Sequence, residues 1–296
     1  MHRTAPPEEL ADLVQQVRDV EFDWSRLPMH WIPGEPQATH TINTLHLLVP
    51  GGERWFVEVL REALPLIGDD RLREQVQGFM GQEVLHAEAH QEIHDVLLSH
   101  GLDPRPYVAQ IEWIFHRVLG DRGAPMTKRQ RLEALIDRVA VVAALEHFTA
   151  VLGDWVIQAD DLDRAGADPV MLDILRWHGA EEVIHRSVSY DVLQYLDRSY
   201  GRRLRGMLMA GSTLAWLWIR GVRFLMAADP ELAGRVKPRF RAYRAASRRG
   251  LLPELAEVGR SVVWYCSPGH HPFHLGSTRR AVAYLGRSPA VRRAGL

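Results

Sequence analysis

Apolar residues recur at helical spacing along most of the chain, which predicts an all-α protein. From Glu53 to about Ile67, the residues Phe56, Val57, Leu60 and Leu64 form one stripe. A turn at 68–70 leads into a second helix, from about Arg71 to Ser99, which stops at Gly101 with Pro104 beyond. Val76, Met80, Ala87 and Leu97 mark its inward side. A third helix, from about Lys128 to Ile157, is almost continuously apolar through VAVVAALEHF. The polar turn ADDLDRAGADP at 159–169 introduces a fourth, with Ile174, Leu175, Val188 and Val192 inside. Residues 101–127 are too long for a hairpin loop. With a short helix around Val108–Leu119, they are expected to carry the chain across a bundle. Pro28, Pro33, Pro36 and Pro50 punctuate residues 1–50, which read as an irregular arm with short helices. Trp24 and Trp31 are expected to pack that arm on the body. The expected organisation is therefore an arm (1–50), a four-helix bundle (51–200) and a helical extension (201–296) packed on it.

Several polar residues interrupt the apolar stripes. Buried charge is costly unless it is paired or bound to metal, so these positions need partners. Glu53 lies on the inward stripe of the first helix, while Glu58 and Glu62 lie on the other side. In the second helix Glu83 and His86 form Glu-x-x-His, and His90 and His94 continue the same side. Glu146 sits in the apolar run of the third. The fourth carries WHGAEEVIHRSVSY, in which His178, Glu182 and His185 fall at i, i+4 and i+7 on one face. One Glu-x-x-His is weak, because about one match is expected by chance in a chain this long. Two matches, each on an inward face, carry more weight.

Register links the four helices. About a turn centred at Gly68, Glu53 and Glu83 are equidistant, each about 22 Å away at 1.5 Å per residue. The midpoint of Glu146 and Glu182 is residue 164, inside the polar turn. Each hairpin thus brings one lone Glu level with one Glu-x-x-His, the ligand arrangement of ferritin-like dinuclear carboxylate bundles. The candidate metal set is Glu53, Glu83, His86, Glu146, His178, Glu182 and His185. Glu181, i+3 from His178, is the competing register. It and His90 are otherwise expected behind the ligands, orienting them. Gly78 and Gly81 either make room beside the metals or allow close helix packing.

The motifs PGGE, QEVLHAEAH, ALEHFTA, WHGAEEVIHRSVSYDV and YCSPGHHPF resemble the bacterial family of predicted metal-dependent hydrolases, over most of the chain from about Thr41. The ligand pattern is also similar to the p-aminobenzoate N-oxygenase group of non-haem diiron oxygenases. In that group a further ligating His precedes the second Glu-x-x-His at i−4, which falls on His178 here. The resemblance implies that the seven residues bind two irons.

Carboxylates with imidazoles suit iron, with manganese or zinc as alternatives. The leading expectation is an O2-dependent oxidase or oxygenase acting on a small, apolar organic substrate. O2 would be the cosubstrate and an external donor would supply electrons, since the chain has no flavin, NAD or iron–sulfur motif. The alternative is metal-assisted hydrolysis, which needs an open coordination position and a general base. A third is a non-catalytic iron-binding or sensing protein.

Composition adds two points. Cys266 is the only cysteine and no apolar leader opens the chain, which suits the cytoplasm. The net charge of −1 conceals an asymmetry: residues 1–196 carry 17 Lys and Arg against 32 Asp and Glu, and residues 197–296 carry 19 against 5. The basic third is expected to complement the acidic bundle, with an anionic surface or acidic partner as the alternative. Nucleic acid is not expected. Within it, the mild apolar run from Met207 to Ile219 is too short for a membrane span. Residues 207–227 are expected as a buried core helix, or else as an interfacial helix making peripheral contact with the inner face of the membrane through Trp216, Trp218, Arg220 and Arg223. Arg235–Arg249 reads as a basic helix. Cys266, His270, His271 and His274 match no common zinc spacing and read as a turn. A homodimer is left open.

Overall fold

A computed structural model describes residues 17–120 and 126–295. Among them every regular element is helical. The chain runs through α1 (Pro36–Ala63), α2 (Asp70–Ser99), α3 (Arg105–Trp113), α4 (Lys128–Ile157), α5 (Asp160–Arg164), α6 (Pro169–His185), α7 (Val188–Leu196) and α8 (Tyr200–Ala228). Shorter helices follow: α9 (Phe240–Arg248), α10 (Leu255–Tyr265), α11 (Thr278–Leu285) and α12 (Pro289–Arg293). A wider helical turn, Ile114–Leu119, prolongs α3. Polar side chains set the starts. Asp69 accepts from the Leu72 N–H at 2.9 Å, Thr127 and Gln130 form a capping box, and Asp168 accepts from Val170 and Met171 ahead of Pro169.

The helices α1, α2, α4 and the broken pair α6–α7 form a four-helix bundle. Of the arm, the described residues 17–35 are irregular. α1 begins at Pro36 and runs straight through Pro50. A proline inside a helix cannot satisfy the carbonyl four residues back. That carbonyl belongs to His46, and it accepts from His94 Nε2 at 2.8 Å, so a neighbouring helix supplies the missing donor. The fourth helix also differs from expectation. It breaks after His185, where Arg186 turns to bond the Pro272 and Phe273 carbonyls at 3.1 and 2.8 Å.

α8 lies across α4 and α1. Only one of its faces is buried, through Met207, Ala210, Leu217 and Leu225. Leu208, Met209, Trp216 and Ile219 are exposed, which corrects the core-helix expectation, and no helix among the described residues is long and apolar enough to cross a membrane. The expected basic helix 235–249 is helical only over α9, because 235–239 runs as a strap over the start of α1. There the Gln37 side chain and the Arg239 backbone bond each other at 2.9 and 3.0 Å. Part of the basic third does neutralise the bundle: Arg202 pairs with Asp137 and Arg280 with Asp154, both at 3.2 Å, while Arg249 holds Glu35 at the end of the arm at 2.7 Å. At the end of α8, Asp229 accepts from His30 and His40 at 2.6 and 2.8 Å, stapling the arm to α1.

Candidate metal centre

Seven ionisable side chains from four helices meet in the buried middle of the bundle. Glu53 comes from α1, Glu83 and His86 from α2, Glu146 from α4, and His178, Glu182 and His185 from α6, each at most 3% exposed. The exposed carboxylates Glu58 and Glu62 lie on the far side of α1. Glu53, His86, His178 and Glu182 each offer one ligand atom within 4.8 Å of the others, and Glu83, His86, Glu182 and His185 do the same. The two groups share His86 and Glu182. Glu146 belongs to neither, but its Oε2 lies 3.5 Å from His185 Nδ1.

The close approach of α4 and α6 depends on two glycines. A Cβ on Gly179 would lie 2.7 Å from Gly153 Cα, and one on Gly153 would lie 2.5 Å from the Gly179 carbonyl oxygen. These glycines let the backbones touch next to His178, bringing Glu146 level with Glu182.

The electrostatics of the cluster suit bound cations. Both carboxylate oxygens of Glu53, Glu83 and Glu146, both ring nitrogens of His185 and Nδ1 of His86 are buried without a hydrogen bond. Orphaned polar atoms rarely survive in a folded core. Burial raises the pKa of all three acids above the ordinary carboxylate range. For Glu83 the neighbouring Glu53 and Glu182 add to this, and for Glu146 Glu182 and Glu53 do. Burial also holds His185 down at about 4, neutral at physiological pH. His178 behaves oppositely: burial opposes its charge, but Glu53 at 3.1 Å and Glu182 at 2.8 Å outweigh it and push it up to about 10. Four acids that cannot all ionise, beside unpartnered imidazoles, become mutually compatible once divalent cations sit among them. The donor set thus fits two metal ions, with oxygen and nitrogen donors and no thiolate.

Residues behind the cluster orient it. His86 turns Nδ1 inward, 3.6 and 3.7 Å from Glu83 and Glu182. Its Nε2–H donates to Glu181 at 2.8 Å, and Glu181 takes Arg18 at 3.0 Å. Glu181 therefore faces away from the cluster and backs a histidine of it, an arrangement that fixes ring orientation and raises basicity. With His178 Nε2 on the inner side, its Nδ1–H donates to His90 Nε2 at 2.8 Å, and His90 Nδ1–H donates to His46 Nδ1 at 2.9 Å. The Thr149 hydroxyl, one turn beyond Glu146, donates to Glu182.

An apolar cavity of about 540 Å³ reaches the cluster at His178, Glu182 and Thr149. A family model described as predicted metal-dependent hydrolase matches residues 16–276. The chain belongs to that family. No curated protein and no solved structure matches it. Gly81 faces Val17 of the arm, so it serves packing there. His270 is buried against Trp264 and Tyr265, with ring centroids 4.3 and 4.7 Å away, and no ligand cluster forms around Cys266, His271 and His274 among the described residues. Sequence reasoning missed His46, Arg18 and Thr149. His46 fell in a stretch read as irregular, and Arg18 gives no local signal. Thr149 follows Glu146 at i+3 and was legible as a same-face neighbour.

Proposed function

We propose that this chain is a dinuclear-metal enzyme that uses O2 to oxidise an apolar organic substrate. The observation that supports it most is the junction between the carboxylate–imidazole cluster and the cavity. The seven side chains would hold two irons, with His86 offering its Nδ1 alone because its Nε2–H is taken by Glu181. A pair of irons bound there would supply O2 activation. The protein's own part is to fix the ligands and keep water out. Glu181, backed by Arg18, locks the His86 ring, and His90 holds the tautomer of His178. The apolar walls lay a substrate against the His178–Glu182 side. Overall, one oxygen atom enters the substrate and the other leaves as water, with two electrons and two protons taken from an external donor.

The metal end of the cavity favours oxidation over hydrolysis. Its polar side chains are Thr149, His178 and Glu182. The Thr149 hydroxyl is already spent on Glu182. Two bound metals would polarise an ester or amide carbonyl there as Lewis acids, but no free protein donor would share its developing oxyanion, whereas a C–H bond needs none. Hydrolysis remains the second reading, because the family description names it.

Protein loaded anaerobically with Fe(II) and then exposed to O2 tests the choice. The expected result is O2 uptake with a new absorption band, both lost in His185→Ala. Silence towards O2, together with cleavage of p-nitrophenyl esters by the manganese- or zinc-loaded protein, would transfer the assignment to hydrolysis.

A further inference from the structure

The cavity has two chemically different ends. His178 and Glu182, 3% and 1% exposed, form its floor. Ile219, Arg223, Arg239, Phe240 and Leu255 line it and are open to solvent, so they mark its mouth. Along α8 the wall runs from Gly211 to Arg223, a length of about 18 Å at 1.5 Å per residue. Between the ends the wall is apolar, built from residues such as Ile42, Leu45, Leu152, Leu214 and Val222. Glu182 on the floor is the sole carboxylate among the described lining residues.

The mouth is cationic. The side chains of Arg223 and Arg239 make no ion pair or hydrogen bond among the described residues, unlike Arg202 and Arg280, which are tied to bundle acids, and Arg249, which is tied to Glu35. Arg239 is not loosely placed: its backbone is clasped from both directions by Gln37, which lines the cavity too. It is also the N-cap of α9, a helix start with no side-chain cap, so the positive end of the helix dipole adds to the field there. An unpaired cationic rim over a long apolar shaft matches one kind of molecule. It repels a cation and gives a plain hydrocarbon no anchor.

We infer that the substrate is a single-chain amphiphile, an extended apolar chain ended by one carboxylate or phosphate. Arg223 and Arg239 hold the anionic head at the mouth, and the chain descends to the His178–Glu182 floor. The inference rests on the cavity being the substrate site of the proposed metal centre. It assigns the reaction to the part of the chain remote from the head, where there are C–H bonds and no ester to cleave.

Isothermal titration of the metal-free full chain with dodecanoate, dodecyl phosphate, dodecanol and dodecylamine tests this without using activity. One of the two anions should bind at least tenfold tighter than dodecanol, and comparison of the two identifies the head. The double variant Arg223→Gln/Arg239→Gln should lose that tenfold advantage and keep its affinity for dodecanol. Leu214→Trp, or Val258→Trp from another part of the wall, should block every chain while iron content and circular dichroism stay unchanged. Dodecanol or dodecylamine binding as tightly as the anions, or an anion preference untouched by the double variant, would overturn the inference. So would binding of none of the four by protein that still takes up iron and responds to O2, a result that leaves the metal centre standing. Chain binding by protein that takes up no metal would sink the enzymatic proposal and with it the assignment as substrate, leaving an amphiphile-binding cavity.

Discussion

Behind the proposed ligands, single side chains do separable work. Glu181 gives His86 its acceptor at 2.8 Å and faces away from the inner cluster. Glu181→Gln keeps the shape but removes the charge that makes the ring a better donor. The expected result is a fall in metal affinity of about 10–100-fold with an unchanged fold, measured by competition against a chelator; unaltered affinity would refute this role. His94 has a different task, since it donates to the His46 carbonyl that Pro50 leaves open. His94→Phe should cost about 1–3 kcal/mol, the range for an unsatisfied buried acceptor, seen in urea unfolding. The two Glu-x-x-His pairs were legible because each needs only local spacing and an apolar background. Arg18 and His46 were not, because their partners lie 163 and 44 residues away and no local pattern announces them.

At the scale of elements, the helix limits followed caps and periodicity where these were strong. α4 starts after a capping box and ends at Ile157, as its pattern predicts. α1 was read as starting too late because prolines at 36 and 50 look like punctuation. Pro36 sits at the first helical position, where it is tolerated, and Pro50 is rescued from a neighbouring helix. The register of the site depends on the α4–α6 crossing. Gly179→Ala would place a methyl 2.7 Å from the Gly153 backbone. The helices must then part, at a cost of about 1–3 kcal/mol for overpacking. Bound metal per chain should fall below that of the wild type, as read by elemental analysis.

For the whole molecule, metal and fold should be coupled. Ions that bind only the folded chain, present at about 100 times their Kd, stabilise it by about 2.7 kcal/mol. Chelation is therefore expected to lower Tm by on the order of 5–10 °C, measured by calorimetry with and without added Fe(II). The C-terminal extension brings its own pH dependence. Burial chiefly, helped by His147 and Arg203, holds His270 down at about 3, so it is neutral when folded and charged when unfolded below pH 6.5. Its contribution is present above pH 6.5 and is lost as pH falls from there towards 3. Replacing the ring by Phe should reduce the pH dependence of unfolding between pH 6 and 5 by about one proton, in denaturant titrations of the metal-free protein.

Periodicity and spacing alone determined the helices, the inward acids and histidines and their common level, because a helix fixes which residues share a face. Folding in three dimensions decided what spacing cannot encode. Glu181 turned outward onto His86 because Arg18, from the far end of the chain, came to meet it. In the basic third some arginines pair with acids of the bundle and others do not, Arg223 and Arg239 at the cavity mouth among them. That division depends on which acids folding brings within reach, and charge counted along a chain carries no such distances.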